Sequence, residues 1–184
     1  MAYLLKYYTF SAKIRTLTDF HRRIASSQQT PSNAEIITTL RYFTQTLIRT
    51  LRPNNSPLFL RFVADSQRTN LFPNLNYSGL FYGVVKLVDV FPLLQSGQSA
   101  IGDAILDCLK ALYFFLDRDS IDQLPCLIAS QLDVFPQELH KKIVNLLADC
   151  ILPYSLSDEC NGGLCVPAVL MLILQQHHDP CLFL

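Results

Sequence analysis

Apolar residues recur along most of this chain at steps of three and four, and short breaks rich in proline, glycine or polar residues separate the runs. This spacing places the apolar side chains on one face of a helix. The clearest stripes are Phe10, Ile14, Leu17, Phe20 and Ile24; Ile36, Leu40, Phe43, Leu47 and Leu51; Leu80, Val84, Leu87, Val88 and Phe91; Ile101, Ile105, Cys108, Leu112 and Phe115; and Leu139, Ile143, Leu146, Leu147 and Cys150. No segment of any length alternates with the period of a strand. The pattern therefore predicts an all-α fold.

The helix starts can be predicted from residues that cap free backbone N–H groups or permit a turn. The first helix is expected from about Phe10 to Ala25, after a short aromatic lead-in over residues 1–9. The expected starts of the others are Ser32 or Asn33 for the second, Asn76 or Ser78 for the third, a point near Ser99 after Gly97 for the fourth, Asp119 or Ser120 for the fifth, and a point just after Pro136 for the sixth.

A short phrase is repeated 44 residues apart. Leu87-Val88-Asp89-Val90-Phe91-Pro92 returns as Gln131-Leu132-Asp133-Val134-Phe135-Pro136. Proline disfavours the helical conformation of the residue before it, so each copy marks a helix end. The offset equals one HEAT or armadillo unit, which runs about 40–47 residues. We therefore expect a HEAT/armadillo-like α-solenoid of antiparallel helix pairs, in which residues 80–116 form one pair.

We expect one helical-repeat segment over residues 1–184. The least regular part is 53–76, which contains three prolines and is the natural place for a long loop. After a polar, glycine-containing loop at 155–163, a last helix is predicted from Pro167 to about His177. It is apolar nearly all round, as expected of a helix covered on several sides. Leu170 and Ile173 on it are therefore candidates for an interaction surface.

The chain has no net charge, but its charges are unevenly placed. Residues 1–68 contain ten Lys/Arg and three Asp/Glu, and residues 69–184 contain five and twelve. This asymmetry is typical either of two solvated faces or of complementary docking surfaces. In the basic half, the interaction candidates are Arg22, Arg23 and Arg41. The longest apolar run, 164–174, is too short to span a membrane, which takes about 20 residues.

Motifs that carry chemistry are scarce. The sequence has no Gly-rich phosphate loop, no Gly-x-Ser-x-Gly elbow and no His-Glu-x-x-His helix, so neither an enzyme nor a cofactor is expected. One set of residues has partly zinc-like spacing: Cys160, Cys165, His177 and Cys181. Because its second half matches no recognised spacing, we expect no bound zinc. The run His140-Lys141-Lys142 is expected to be a solvated face.

Several segments together resemble a known family. They are Phe10 to Leu17 with Phe20-His21-Arg22, Thr39 to Leu47, Asn76 to Leu80, Asp89 to Gln98, Leu124-Pro125, and Phe135 to Lys141. In combination they are similar to the N-terminal region of the uncoordinated-seventy-nine family, whose members are large accessory subunits of the sodium-leak channel complex. The resemblance covers most of residues 10–155. Residues 156–184 match less well and are expected to be a divergent or truncated end.

The resemblance implies a non-enzymatic helical scaffold in neurons. Its implied partners are a second giant subunit, the uncoordinated-eighty homologue, and the pore subunit of the channel. It implies a cytoplasmic location at the plasma membrane through that complex, with no direct membrane span and no nucleic acid. Self-association through residues 164–184 is a further expectation. Two alternatives stay open, namely a helical adaptor with unrelated trafficking partners and a small zinc- or nucleic-acid-binding domain.

Overall fold

The computed structural model describes residues 2–26, 30–51, 76–94, 96–117, 120–121, 123–124, 127 and 135–146, and for 2–7 and 49–51 it describes the backbone alone. The α-helices are α1 (Ala2–Ala25), α2 (Asn33–Leu51), α3 (Tyr77–Asp89), α4 (Gln98–Tyr113) and α5 (His140–Leu146). Two 3-10 turns span Phe91–Leu93 and Gln137–Leu139. These ranges contain no strand, so the predicted all-α class is confirmed.

The starts of α2, α3 and α4 lie at the capping or turn residues that the sequence predicted. The Ser32 hydroxyl accepts a hydrogen bond from the Glu35 N–H at 3.2 Å, and the Asn76 side chain accepts one from the Gly79 N–H at 2.7 Å. Gly97 precedes α4 with φ of 70°, a conformation that favours glycine.

Two predicted helix starts were wrong. Helix α1 begins at Ala2 rather than near Phe10, because no proline or glycine interrupts residues 2–9. The predicted cap at Asp119 or Ser120 is also displaced. The Asp117 carboxylate accepts the Ser120 N–H at 2.9 Å, so Asp117 has the capping role and Ser120 already lies in the helical stretch. Asp119 lies outside the described residues.

The predicted apolar stripes form the core. Every described member of the five stripes is buried except Ile14, which packs against the core while partly exposed. Burial of such side chains contributes roughly 1.5–3 kcal/mol each relative to leaving them in water. Leu51, Leu147 and Cys150 belong to the stripes, but the structure does not describe their side chains.

The helices stack in two layers in which neighbours run parallel. In one layer α1 lies on α3, because the rings of Phe10 and Tyr77 are 6.3 Å apart and Leu17 contacts Gly83. In the other layer α2 lies on α4 and α4 on α5. The contacts that join α2 to α4 lie at matching positions along the two helices. They are the Asn33–Ser96 hydrogen bond at 3.3 Å and a hydrogen bond shared by the Thr44 and Cys108 side chains.

Between the layers, consecutive helices run antiparallel. Tyr77 at the start of α3 stacks on Phe115 just beyond α4, with ring centroids 4.9 Å apart. Ser78 donates a hydrogen bond to Asp117 at 3.1 Å. Since α3 and α4 are joined at their other ends through residues 90–97, they form an antiparallel pair. Phe10 and Phe43 meet in the same way between α1 and α2 at 5.1 Å.

The two copies of the repeated phrase meet in space. Phe91 and Phe135 are buried, and their rings stack with centroids 5.0 Å apart. A 3-10 turn over Phe91–Leu93 includes the proline of the first copy, and another over Gln137–Leu139 directly follows the proline of the second. Equivalent positions of the repeated phrase therefore contact each other directly. The first four residues of the second copy, 131–134, lie outside the described residues.

Candidate interaction surface

Positive charge is concentrated in the first helix pair. Helices α1 and α2 together contain seven Lys/Arg and two Asp/Glu. Helix α3 contains one of each sign, and α4 has one lysine and two aspartates. The charge asymmetry of the sequence therefore corresponds to one end of the stacked helices.

Arg22 and Arg23, two of the predicted interaction residues, lie in the last turn of α1 and share one carboxylate. Each guanidinium is 3.9 Å from Asp19, and the side chains of Arg22 and Arg23 are 76% and 30% exposed. Exposed pairs at this distance contribute little, typically about 0.2–1 kcal/mol. Positive charge also suits a helix C-terminus, where it offsets the helix dipole.

Arg41, the third predicted residue, is exposed on α2, which belongs to the other layer. The structure therefore brings Arg22 and Arg23 together and places Arg41 on a different helix. Leu170 and Ile173 lie outside the described residues. Their proposed interaction role, like the expectation for Cys160, Cys165, His177 and Cys181, stays a prediction.

The sequence reasoning missed a line of residues along α1. Tyr8, Ala12, Arg15, Asp19 and Arg22 follow each other at steps of four, three, four and three, and each is at least partly exposed. A helix turns by about 100° per residue, so this line lies opposite Phe10 and Leu17, which contact α3. We call these five residues the α1 ridge. Its spacing was visible in the sequence, but the buried stripe of α1 has a similar spacing and is more apolar.

A second charged group joins α4 to α5. The Lys142 ammonium donates to Asp103 at 2.5 Å and lies 2.7 Å from Asp107. Burial alone would lower the pKa of Lys142, but hydrogen bonds and charge attraction from the two carboxylates outweigh it, so the pKa is raised. The expectation that His140-Lys141-Lys142 is a solvated face is therefore wrong for Lys142.

That expectation is wrong for His140 as well. Its ring is buried, and Nε2 lies 3.1 Å from the Phe135 carbonyl oxygen. The partners of Lys142 lie on α4, and the partner of His140 is a backbone carbonyl five residues earlier, so the helical spacing of the run does not reveal either contact. Lys141 alone is exposed, as expected.

The buried thiol of Cys108 is poorly suited to chemistry. Burial raises its pKa to about 12, the hydrogen bond shared with Thr44 lowers it in part, and the Asp107 charge raises it further. The thiolate is the reactive form of cysteine, so this group is inert at neutral pH. Cys108 acts as a small apolar residue between α2 and α4.

Within the described residues, no three or more His, Cys, Asp or Glu side chains come together as a metal site would require. In the same part of the chain, no helix combines the length and the apolar character needed to cross a bilayer.

The described residues thus form an all-helical, layered protein whose notable surface features are charged helix faces. The family model described as protein unc-79 homolog, N-terminal region, matches residues 62–184. The chain belongs to this UNC-79 family. The match includes the segments from Asn76 to Lys141 that carried the resemblance and extends through 156–184. The similar segments between Phe10 and Leu47 lie outside the matched range. No solved structure matches the chain.

Proposed function

We propose that this chain is a non-enzymatic scaffold subunit of a neuronal sodium-leak cation channel complex, supporting the assembly, localisation and regulation of the channel through protein contacts. Membership of the UNC-79 family carries this proposal. The chemistry of the described residues agrees with it. Cys108 is buried and protonated, and Lys142 is held between two aspartates, so neither is available as a nucleophile or base.

The proposed architecture is a HEAT/armadillo-like α-solenoid. In such folds each repeat is an antiparallel helix pair, and equivalent helices of successive repeats stack in parallel. The contacts of α1 with α3, of α2 with α4 and of α4 with α5 support this proposal. The stacking of Phe91 on Phe135, from the two copies of the repeated phrase, supports the same architecture.

The number of residues that separates contacting positions in successive repeats differs between the two pairs of stacked helices. Asn33 and Ser96, which join α2 to α4, are 63 residues apart, whereas Asp103 and Lys142, which join α4 to α5, are 39 apart. The segment 52–75 lies between α2 and α3 and falls within the longer separation.

The proposed partners are the uncoordinated-eighty homologue and the pore subunit of the channel. The proposed location is the cytoplasmic side of the plasma membrane, reached through that complex. No cofactor is part of the proposal.

Affinity purification tests the functional proposal. The tagged full chain is co-expressed with the pore subunit and the uncoordinated-eighty homologue, and the recovered proteins are quantified by mass spectrometry. We expect both partners to be recovered with the chain. The matched control is Leu87→Asp, which places a charge at a fully buried position and should abolish recovery together with folding.

Two results would contradict the functional proposal. One is recovery of trafficking proteins without either channel subunit, which would favour the adaptor alternative. The other is recovery of both subunits to the same extent with the unfolded Leu87→Asp control, since the contact would then not depend on the folded scaffold.

Cysteine crosslinking tests the stacking. Asn33→Cys combined with Ser96→Cys should form a disulfide on mild oxidation, because their side chains meet between the starts of α2 and α4. Asn33→Cys combined with Ser78→Cys is the control, because Ser78 lies at the opposite end of the α3–α4 pair beside Asp117. Equal crosslinking of the two pairs, mapped by peptide mass spectrometry, would argue against the parallel layers.

A further inference from the structure

The α1 ridge has a geometry suited to contact with another helix. Steps of four, three, four and three keep one line of side chains on the same side of a helix along several turns. The ridge lies on the side of α1 opposite α3, so in the described part of the chain a helix docked there would extend the layer that α1 and α3 begin. Ala12 is small and leaves room for a neighbouring helix to approach.

The side chains of the α1 ridge indicate which kind of partner helix would bind there. Arg15 and Arg22 are seven residues apart, and both are exposed. Tyr8, a further seven residues before Arg15, is 66% exposed and provides a flat aromatic surface. Asp19 is the one acidic residue of the ridge, and it lies between the two arginines. A guanidinium pairs well with a carboxylate, often through two parallel hydrogen bonds.

We propose that the α1 ridge is a docking surface for an acidic α-helix of a partner protein. The partner helix carries two carboxylates about seven residues apart, opposite Arg15 and Arg22, and no acidic residue opposite Asp19. Charge complementarity selects this occupant, because the ridge belongs to the helix pair with seven basic and two acidic residues. The inference rests on the proposed scaffold function, since it requires a protein partner.

Photo-crosslinking tests the proposal in the full chain, co-expressed with the channel subunits. Tyr8 is replaced by p-benzoylphenylalanine, and crosslinked peptides are sequenced by mass spectrometry. The crosslinked partner peptide should have the sequence pattern of a helix and contain two Asp/Glu residues seven positions apart. A crosslink to lipid, to a neutral or basic peptide, or only to residues of the same chain would overturn the proposal. A crosslink to a second copy of this chain supports it if that peptide has the stated acidic spacing.

Charge reversal on the α1 ridge provides a second test of the proposal. Arg15→Glu with Arg22→Glu should reduce the crosslink yield about tenfold, because two attractive pairs become repulsive. Arg41→Glu with Lys141→Glu is the matched control. It changes the net charge equally at exposed positions of the other layer, and it should change the yield less than about twofold. Changing the two partner carboxylates to lysine should restore the yield with the reversed ridge.

Equal loss with the ridge variant and the control, or no rescue by the partner lysines, would overturn the proposal. If the Glu variants lose their helical circular dichroism, Arg15→Gln with Arg22→Gln tests the same contact. We then expect the crosslink yield to fall by a smaller factor, about threefold. The results distinguish this inference from the scaffold function on which it rests. Recovery of the channel subunits without an acidic crosslinked helix refutes this inference alone, whereas failure to recover them refutes the function proposed above.

Discussion

Replacing Gly102 with alanine tests most directly how the two copies of the repeated phrase pack against α4. Gly102 is buried on α4, where the two copies of the repeated phrase meet. A Cβ atom at this position would lie 2.6 Å from the Leu139 Cδ1 and 3.2 Å from ring carbons of both Phe91 and Phe135. The stacked rings leave little room to move, so most of the adjustment falls on the end of the Leu139 side chain.

Two opposing effects set the magnitude. Alanine in a helix interior is favoured over glycine by about 1 kcal/mol. Forcing an extra carbon into a packed core typically costs about 1–3 kcal/mol. We therefore expect Gly102→Ala to destabilise the chain by about 1 kcal/mol, which corresponds to a drop in Tm of about 2–4 °C for a protein of this size.

Gly83→Ala is the matched control. Gly83 lies within α3, and a Cβ there would be 3.4 Å from the Leu17 Cβ, an ordinary contact. The gain in helix propensity should then dominate and raise the stability by about 0.5–1 kcal/mol. Thermal and urea unfolding, followed by circular dichroism, measure both variants under the same conditions.

The double variant with Leu139→Ala identifies the source of the strain. Removing Leu139 Cδ1 eliminates the closest contact, so Gly102→Ala should be close to neutral in that background, with a coupling energy of about 1–2 kcal/mol. If Gly102→Ala stabilised the chain as much as Gly83→Ala does, the packing of Phe91, Phe135 and Leu139 around α4 would be refuted.

Four further predictions follow from burial and charge. Leu87→Ala should cost about 2–5 kcal/mol, because Leu87 is fully buried, and an unchanged melting curve would contradict this. Lys142→Met should cost about 0.5–1 kcal/mol near pH 7, a small value because the ion pairs are partly exposed. Since the folded-state pKa of Lys142 is raised, its contribution is present below the ordinary value of 10.5 and should fade in urea titrations at higher pH. Cys108 should resist iodoacetamide at pH 8.5 in the folded chain and react after unfolding, as read by peptide mass spectrometry. Leu170→Glu with Ile173→Glu should shift the chain toward the monomer in sedimentation, and a monomeric unmodified chain at high micromolar concentration would refute self-association through 164–184.

Local features of this protein could be predicted from the sequence because their causes lie within one or two helical turns. Ser32 and Asn76 cap helices by accepting hydrogen bonds from N–H groups three residues ahead. The buried stripes follow from side chains three and four positions apart. Even the end of α3 near Phe91-Pro92 is local, since proline restricts the residue before it.

The cap of the fifth helical stretch shows where local reasoning becomes ambiguous. Asp117, Asp119 and Ser120 are all good capping residues within four positions. Asp117 also accepts a hydrogen bond from Ser78 at the start of α3, which anchors its carboxylate beside Ser120. From the sequence alone the three residues are almost equally good caps. The hydrogen bond between Ser78 and Asp117, across the α3–α4 pair, identifies Asp117 as the cap.

The sequence by itself determined where most of the helices lie, which of their faces are apolar and that a phrase recurs after 44 residues. Only the tertiary structure decided that Phe91 and Phe135 stack, that Gly102 packs against them, and that Lys142 pairs with Asp103 and Asp107. The physical reason is distance along the chain. Lys142 is 39 residues from Asp103, and Asn33 is 63 residues from Ser96, so these pairs depend on how whole helices stack and not on the residues beside them.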